Sequence, residues 1–363
     1  MSAPDWVPIR EELRNEEPYG APQMTEVICL NVNENPYPPS EAVADDIAAS
    51  VRAAALGLNR YPDREATRLR AGLAGYLNAE TSLGFTGDHV WAANGSNEVM
   101  AQILQAFGGP GRTAISFAPT YSMYPEYARN THTRWVTGQR REDFGIEPAA
   151  ALALIEAEQP DIVILTSPNN PTGTALPIET VEEVLAASRG IVIVDEAYGE
   201  FRRSGTPTAL SLLADHPRLL VARTMSKAFA LAGGRLGYVV ADPAIVDALR
   251  VVRLPYHLSA VTQAMAEAAL RHAPELLARV DELRTRRDEL SRWLETRGYT
   301  VAPSDANFVF FGQFADRHAI WQGLVDRGVL IRETGPDGWL RVSVGTADEM
   351  NAFYTALQEV DTR

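Results

Sequence analysis

The sequence predicts an α/β protein: a large domain with a mainly parallel sheet flanked by helices, a smaller α+β domain and an N-terminal arm. Three observations carry that expectation. From about Val90, short apolar runs alternate with helical stretches: V-W-A-A-N, A-I-S-F-A, D-I-V-I-L, I-V-I-V-D, L-L-V-A-R and L-G-Y-V-V. They are continuously apolar rather than alternating, as strands buried on both faces of a parallel sheet are. After Val240 the character shifts to an amphipathic helix followed by paired strands, which reads as a separate α+β unit. Polar residues stand where the runs end, at Gly95-Ser96-Asn97, Tyr121, Asn170, Asp195 and Lys227. Ligands of open α/β sheets gather outside those carboxyl ends.

Taken in order, the first forty residues are irregular and Pro-rich, and read as an arm or linker rather than a core element. Ser40 caps a helix through Ala55, with Val43, Ile47 and Val51 on one stripe. R-Y-P-D is a turn, and Asp63 opens a second helix with Leu69, Leu73, Tyr76 and Leu77 inward. Beyond the sheet, Leu276, Val280, Leu283, Leu290 and Leu294 form an apolar stripe, and Arg284, Arg286 and Arg287 read as the solvated face. A strand pair (Tyr299 to Val301, Asn307 to Phe311), a helix, the strands V-L-I-R-E and W-L-R-V-S-V, and a helix to Val360 follow. In W-L-R-V-S-V the core face is Leu340, Val342 and Val344, which leaves Arg341 on the other face with Ser343. The expected division is 1–40 (arm and small-domain segment), 41–255 (large cofactor-binding domain) and 256–363 (small C-terminal α+β domain).

Composition excludes several function classes. A net charge of −14 argues against nucleic acid or an anionic membrane surface as partner. The six histidines are scattered without zinc-like spacing, so no metal site is expected. The single cysteine, Cys29, cannot form an internal disulfide and lies in the apolar run V-I-C-L, where a small buried hydrophobe is expected. The start M-S-A-P-D-W-V-P lacks the basic and apolar segments of a signal peptide, and the chain reads as cytoplasmic.

Lys227 is the only lysine of the chain; every other basic side chain, histidine aside, is arginine. Arginine replaces a surface lysine in nearly every role except as a neutral amine. A lone lysine is therefore a candidate for amine chemistry, a Schiff base or proton transfer, unless it survived by drift. Its neighbours each allow two readings. Asp195 is either a local cap or a carboxylate holding a proton on a heteroaromatic nitrogen. Tyr198 is a core tyrosine or a phenol donating to a ring oxygen. S-P-N-N-P-T-G is a tight turn or a rigid mount for the Asn170 amide. Gly95-Ser96-Asn97-Glu98 is an N-cap or a phosphate seat at a helix N-terminus. Arg235 pairs with a surface acid or faces an anion among Gly233, Gly234 and Gly237.

Together, S-P-N-N-P-T-G, D-E-A-Y and S-K-A-F-A-L-A-G-G-R-L-G, in this order along the chain and at this spacing, resemble the fold type I pyridoxal-phosphate aminotransferases over nearly the whole chain. The resemblance implies pyridoxal 5'-phosphate bound through Lys227, Asp195 on the ring nitrogen, Asn170 and Tyr198 on the ring 3-oxygen, and Tyr121 stacked on the ring. It implies a phosphate cradle of Ser96, Asn97, Ser226 and Arg235. Within that family the likeness is to the histidinol-phosphate aminotransferases, carried by P-Y-G at Pro18, L-N-V-N-E-N-P-Y at Leu30, R-Y-P-D at Arg60, P-T-Y-S-M-Y at Pro119 and L-P-Y-H-L-S at Leu254. That likeness implies histidinol phosphate and 2-oxoglutarate/glutamate as substrates, with Tyr19, Asn170, Tyr256, Arg332 and Arg341 around them. It also implies a homodimer in which Tyr61 reaches the partner's cofactor phosphate. An aromatic aminotransferase or a phospho-amino-acid decarboxylase on the same scaffold is the nearest alternative. A non-enzymatic sensor of an aldehyde cofactor is a further one, weakened by the absence of any basic or helix-turn-helix segment before residue 40.

Overall fold

The computed structural model describes residue 4 and residues 6–361, so part of the M-S-A-P-D opening lies outside the described residues. The first strand, β1 (Ile28–Cys29), is followed by helices α1 (Glu41–Ala55) and α2 (Thr67–Thr81). Ser40 caps α1 by accepting from the Val43 N–H at 3.3 Å, as its residue type predicts. Asp63 does not open α2 itself. Its carboxylate accepts from the Glu65 and Thr67 N–H groups, and the helix starts only after Ala66 adopts a φ of 47°.

A seven-stranded sheet follows, built from β2 (Val90–Ala93), β3 (Thr113–Ala118), β4 (Arg134–Gln139), β5 (Ile162–Thr166), β6 (Ile191–Asp195), β7 (Leu219–Thr224) and β8 (Gly237–Ala241). Its order is β2-β8-β7-β6-β5-β3-β4, with β8 antiparallel to both neighbours and the other pairings parallel. Helices α3 (Ser96–Phe107), α4 (Tyr124–Asn130), α5 (Pro148–Glu158) and α6 (Ile178–Ala187) connect its strands, and α7 (Pro243–Val252) leaves it. The edge strand β4 escapes a search for continuous apolar runs, because R-W-V-T-G-Q is half-exposed and partly polar.

After α8 (Ala260–Arg271) and α9 (Ala273–Glu295), β9 (Thr300–Val301), β10 (Phe308–Gly312), α10 (Arg317–Val325), β11 (Val329–Leu330), β12 (Arg332–Glu333), β13 (Trp339–Ser343) and α11 (Ala347–Val360) complete the chain. β12-β13-β10-β9 form a four-stranded sheet, while β11 pairs in parallel with β1. The expected strand V-L-I-R-E is thus split between two sheets. Because β1 lies against β11, residues 28–33 are not linker: Leu30, Asn31 and Asn33 are buried.

Two further expectations are corrected. Cys29 is exposed rather than buried, since its neighbour Leu30 takes the inward position. Arg287 is buried, not solvated: its guanidinium donates to the Phe201 carbonyl at 2.8 Å and to Asp288 at 2.9 Å, tying α9 to the loop after β6. Among the described residues no helix is long and apolar enough to cross a membrane, and no group of three or more His, Cys, Asp or Glu is placed to hold a metal ion.

Candidate active site

The carboxyl ends of β2, β3, β5, β6 and β7 open into one cleft of about 440 Å³. Its walls take Arg332 and Arg341 from the four-stranded sheet, Asn31 and Asn33 from the segment after β1, and Tyr19 from the arm. Of the residues expected at the site, Tyr19, Ser96, Asn97, Tyr121, Asn170, Asp195, Tyr198, Ser226, Lys227, Arg235, Arg332 and Arg341 all line this cleft. Tyr61 and Tyr256 do not. They stack on each other with ring centroids 4.3 Å apart, and Tyr61 is 79% exposed. Tyr256, expected near the substrate, thus lies outside the cleft of its own chain, paired with Tyr61.

Lys227 follows β7 in a turn held by the Ser226 N–H, which donates to Thr224 Oγ1 at 3.1 Å. Its Nζ donates to the Val32 carbonyl at 2.8 Å and has no carboxylate among its bonded partners. Burial lowers its pKa to about 8, and the Arg341 and Arg235 charges push the same way. Asp195 ends β6 and is buried. Its Oδ2 accepts from the Tyr124 hydroxyl at 2.8 Å and its Oδ1 from the Ala197 N–H at 3.0 Å. Burial holds this carboxyl above its ordinary pKa, against those two donors. The Tyr198 hydroxyl accepts from Asn33 Nδ2 at 2.9 Å.

One part of the cleft is built for an anion. Ser96 and Asn97 open α3, where unpaired N–H groups and the helix dipole favour negative charge. Arg235 joins them, and among the described residues it makes no ion pair; its Nη1 donates only to the Ala232 carbonyl. The backbone is glycine here because space is short. A Cβ at Gly95, whose φ is 83°, would lie 2.5 Å from Arg235 Nη2, and one at Gly237 would lie 2.2 Å from the Ser96 nitrogen. A second cation group comes from the smaller sheet. Arg341 donates through Nη2 to the Asn31 carbonyl at 2.7 Å and through Nη1 to Asn170 Oδ1, while its buried Nε has no partner. Burial lowers its pKa to about 10, and Arg332, its register partner across β12 and β13, adds a like charge. The Asn170 assignment has support beside its neighbour. Asn169 is buried and bonds to the Pro119 carbonyl and Thr172, whereas Asn170 faces the cleft.

These donors fit a phosphorylated aldehyde with a basic ring nitrogen. Such a group needs an amine, an anion cradle and a carboxylate free of any cation, and Lys227, the Ser96–Arg235 cradle and Asp195 supply them. Sequence reasoning left several cleft residues without a role: Asn33, Thr120, Tyr124 and Thr166. All lie in or beside motifs already singled out, but nothing in a motif tells which hydroxyl meets which carboxylate.

A family model described as aminotransferase class I and II matches residues 25–357. Histidinol-phosphate aminotransferase of Thermobifida fusca is 59% identical over 97% of this chain and 95% of its own length. Histidinol-phosphate aminotransferase 3 of Burkholderia lata is 58% identical over 98% and 96%. Among solved structures, the histidinol-phosphate aminotransferase of Sinorhizobium meliloti in complex with pyridoxal-5'-phosphate superposes with a TM-score of 0.80 at 27% identity, covering 91% of this chain and 89% of that one. The chain belongs to the class I and II aminotransferases.

Proposed function

We propose that this chain is a pyridoxal-phosphate-dependent transaminase that moves the amino group between L-histidinol phosphate and 2-oxoglutarate, giving imidazole-acetol phosphate and L-glutamate, in histidine biosynthesis. The observation that carries this reading is one cleft holding a lone amine of lowered pKa together with two separate groups of cations. One group, Arg235 with Ser96, Asn97 and Ser226, suits the cofactor phosphate. The other, Arg332 and Arg341 with Tyr19 and Asn170, suits a second anion on the substrate. The names of the relatives support the same choice of substrate.

Pyridoxal phosphate, when bound, supplies an electron sink for the carbanion left by proton loss from the substrate carbon. The protein's residues do the rest. Asp195 holds the proton on the ring nitrogen, so that the ring stays cationic. Lys227, as a free amine, would be neutral often enough near pH 8 to take a proton from the substrate carbon and return it at a second position. Asn170 and Tyr198 address the ring 3-oxygen, and Tyr121 covers the ring face. Arg341 and Arg332 orient the far end of the substrate, whether a phosphate or the side-chain carboxylate of glutamate. One cation pair therefore serves both half-reactions.

The reading extends to assembly. The active unit is a cytoplasmic homodimer in which Tyr61, exposed here as Leu56, Leu58 and Leu254 also are, serves the neighbouring subunit's cofactor phosphate. The large cofactor-binding unit spans 41–255, with 1–40 and 256–363 forming the arm and smaller domain. A screen of amine donors on the purified protein with 2-oxoglutarate tests the function directly. Histidinol phosphate should exceed phenylalanine, tyrosine and unphosphorylated histidinol by at least ~10²-fold in kcat/KM, because donors lacking phosphate leave buried cations unpaired. Equal conversion of phenylalanine would replace this reading with an aromatic aminotransferase.

A further inference from the structure

Tyr124 opens α4, and its side chain is fully buried. Its ring packs edge-on against Tyr121, with centroids 5.5 Å apart. Its hydroxyl lies 2.8 Å from Asp195 Oδ2 and 2.9 Å from Thr166 Oγ1. Thr166 Oγ1 lies in turn 3.1 Å from Thr120 Oγ1, and both threonines face the cleft. Three hydroxyls thus form a line that ends on the carboxylate. An ionised carboxylate accepts hydrogen bonds and donates none, which sets the direction of the whole line. Tyr124 donates to Asp195, Thr166 to Tyr124 and Thr120 to Thr166. Each hydroxyl that accepts a bond becomes a better donor for the next.

The line matters because Asp195 has few other means of staying ionised. Burial disfavours its charge, and no arginine or lysine is bonded to it among the described residues. The ionisable groups around it are the phenols of Tyr121, Tyr124, Tyr127 and Tyr198, on each of which its charge acts, and Glu196 next in the chain, which opposes its ionisation. None of these adds a positive charge. The Ala197 N–H and the Tyr124 O–H are the two donors that favour the anion.

We propose that Tyr124 is a positioning residue for Asp195: the line Thr120–Thr166–Tyr124 delivers a directed O–H to Oδ2, keeps the carboxylate ionised in a dry site and aims it at the cofactor's ring nitrogen. The proposal rests on the pyridoxal-phosphate reading above. If the donor is lost, Asp195 competes for the proton that the ring nitrogen should hold.

The test is a pH titration of the visible absorbance of the holoenzyme, in wild type, Tyr124→Phe and Thr166→Val. Tyr124→Phe keeps the ring that packs on Tyr121 and removes only the hydroxyl. A positive charge on the ring nitrogen draws electrons from the lysine linkage and lowers its basicity. A weakened Asp195 loosens that charge, so the midpoint moves up, by about one unit in Tyr124→Phe given the strength of a hydrogen bond to a charged group. The shift is smaller but of the same sign in Thr166→Val, whose lost hydroxyl bonds to Tyr124 and Thr120 and not to the Asp195 carboxylate. Turnover falls about tenfold in Tyr124→Phe for a shift of that size, with KM for 2-oxoglutarate little changed. A Tyr124→Phe holoenzyme that titrates at the wild-type midpoint overturns the proposal, even if its turnover is lower. Should that variant not fold, Thr166→Val decides the matter by the same criterion. A wild-type protein that takes up no pyridoxal phosphate would overturn the functional reading and this proposal together.

Discussion

Two buried guanidinium groups, Arg223 on β7 and Arg341 on β13, have contrasting surroundings. Arg223 is ringed by acids: it donates to Glu196 at 2.8 Å and to Glu80 at 2.7 Å, with Glu200 at 3.5 Å. Burial works against its charge, but the three carboxylates outweigh that and raise its pKa well above the ordinary value. Glu196 is satisfied further by the Thr208 hydroxyl and the Ala209 N–H. Arg341 is equally out of solvent but meets only a carbonyl, an amide oxygen and the face of Phe308, and its pKa falls. The first cluster closes on itself and knits α2, β6 and β7 together. The second is a charge placed before its counter-ion is present. D-E-A-Y spans both arrangements, with Asp195 turned to the cleft and Glu196 to the closed network.

The contrast breaks most visibly at Lys227, if the cleft is a ligand site at all. Lys227→Arg should abolish turnover and the visible absorbance of the purified protein, and borohydride should fix the chromophore to Lys227 in wild type only. A Lys227→Arg variant that still transaminates would remove the ground for the whole assignment. Next comes Asp195→Asn, which keeps the fold but loses the charge on the ring nitrogen. Removing a buried charge partner costs about 3–5 kcal/mol, so kcat should drop about 10²- to 10⁴-fold. Near-normal kcat would make Asp195 a capping residue.

Paired substitutions then sharpen the comparison. Arg223→Met leaves Glu80 and Glu196 to share Arg202 and takes from buried Glu200 its nearest cation, and should cost about 3–5 kcal/mol of stability in urea unfolding. Arg341→Met in the cofactor-free protein should change stability by about 1 kcal/mol or less, since relief of a desolvated charge offsets two lost hydrogen bonds. The same variant should raise KM for both histidinol phosphate and glutamate. Equal destabilisation by the two substitutions would mean that Arg341 is structural.

A pH dependence completes the comparison. A lysine whose folded pKa is about 8, against 10.5 unfolded, binds fewer protons folded than unfolded between those values. Stability of the cofactor-free protein should therefore rise as pH climbs from about 8 to 10.5, by about 3 kcal/mol, and stay flat on this account below pH 8. Subtracting the profile of Lys227→Met isolates that rise. A flat difference would place the Lys227 amine in a more polar setting than its contacts indicate.

The alternation of apolar runs with helices, the residues at the strand ends and the order of the three motifs were all legible in the sequence, because each is a local pattern read over a few residues. The place of the lone lysine was legible too, since it stands just past the end of an apolar run. Errors arose where a residue's environment is set from a distance. Arg287 looked like surface because its neighbours Arg284 and Arg286 are charged, yet carbonyls of Phe201 and Ala306 draw it inward. Cys29 looked buried because its run is apolar.

The sequence by itself determined which chemical groups this protein carries and at which strand ends they stand. Only the tertiary structure decided which of its charges are satisfied and which wait for a ligand. Arg223 meets Glu80 across 143 positions and Arg341 meets Asn31 across 310. An ionised group's state depends on the dielectric and the charges within a few ångströms. Those neighbours are assembled by packing, and no local stretch of sequence contains them.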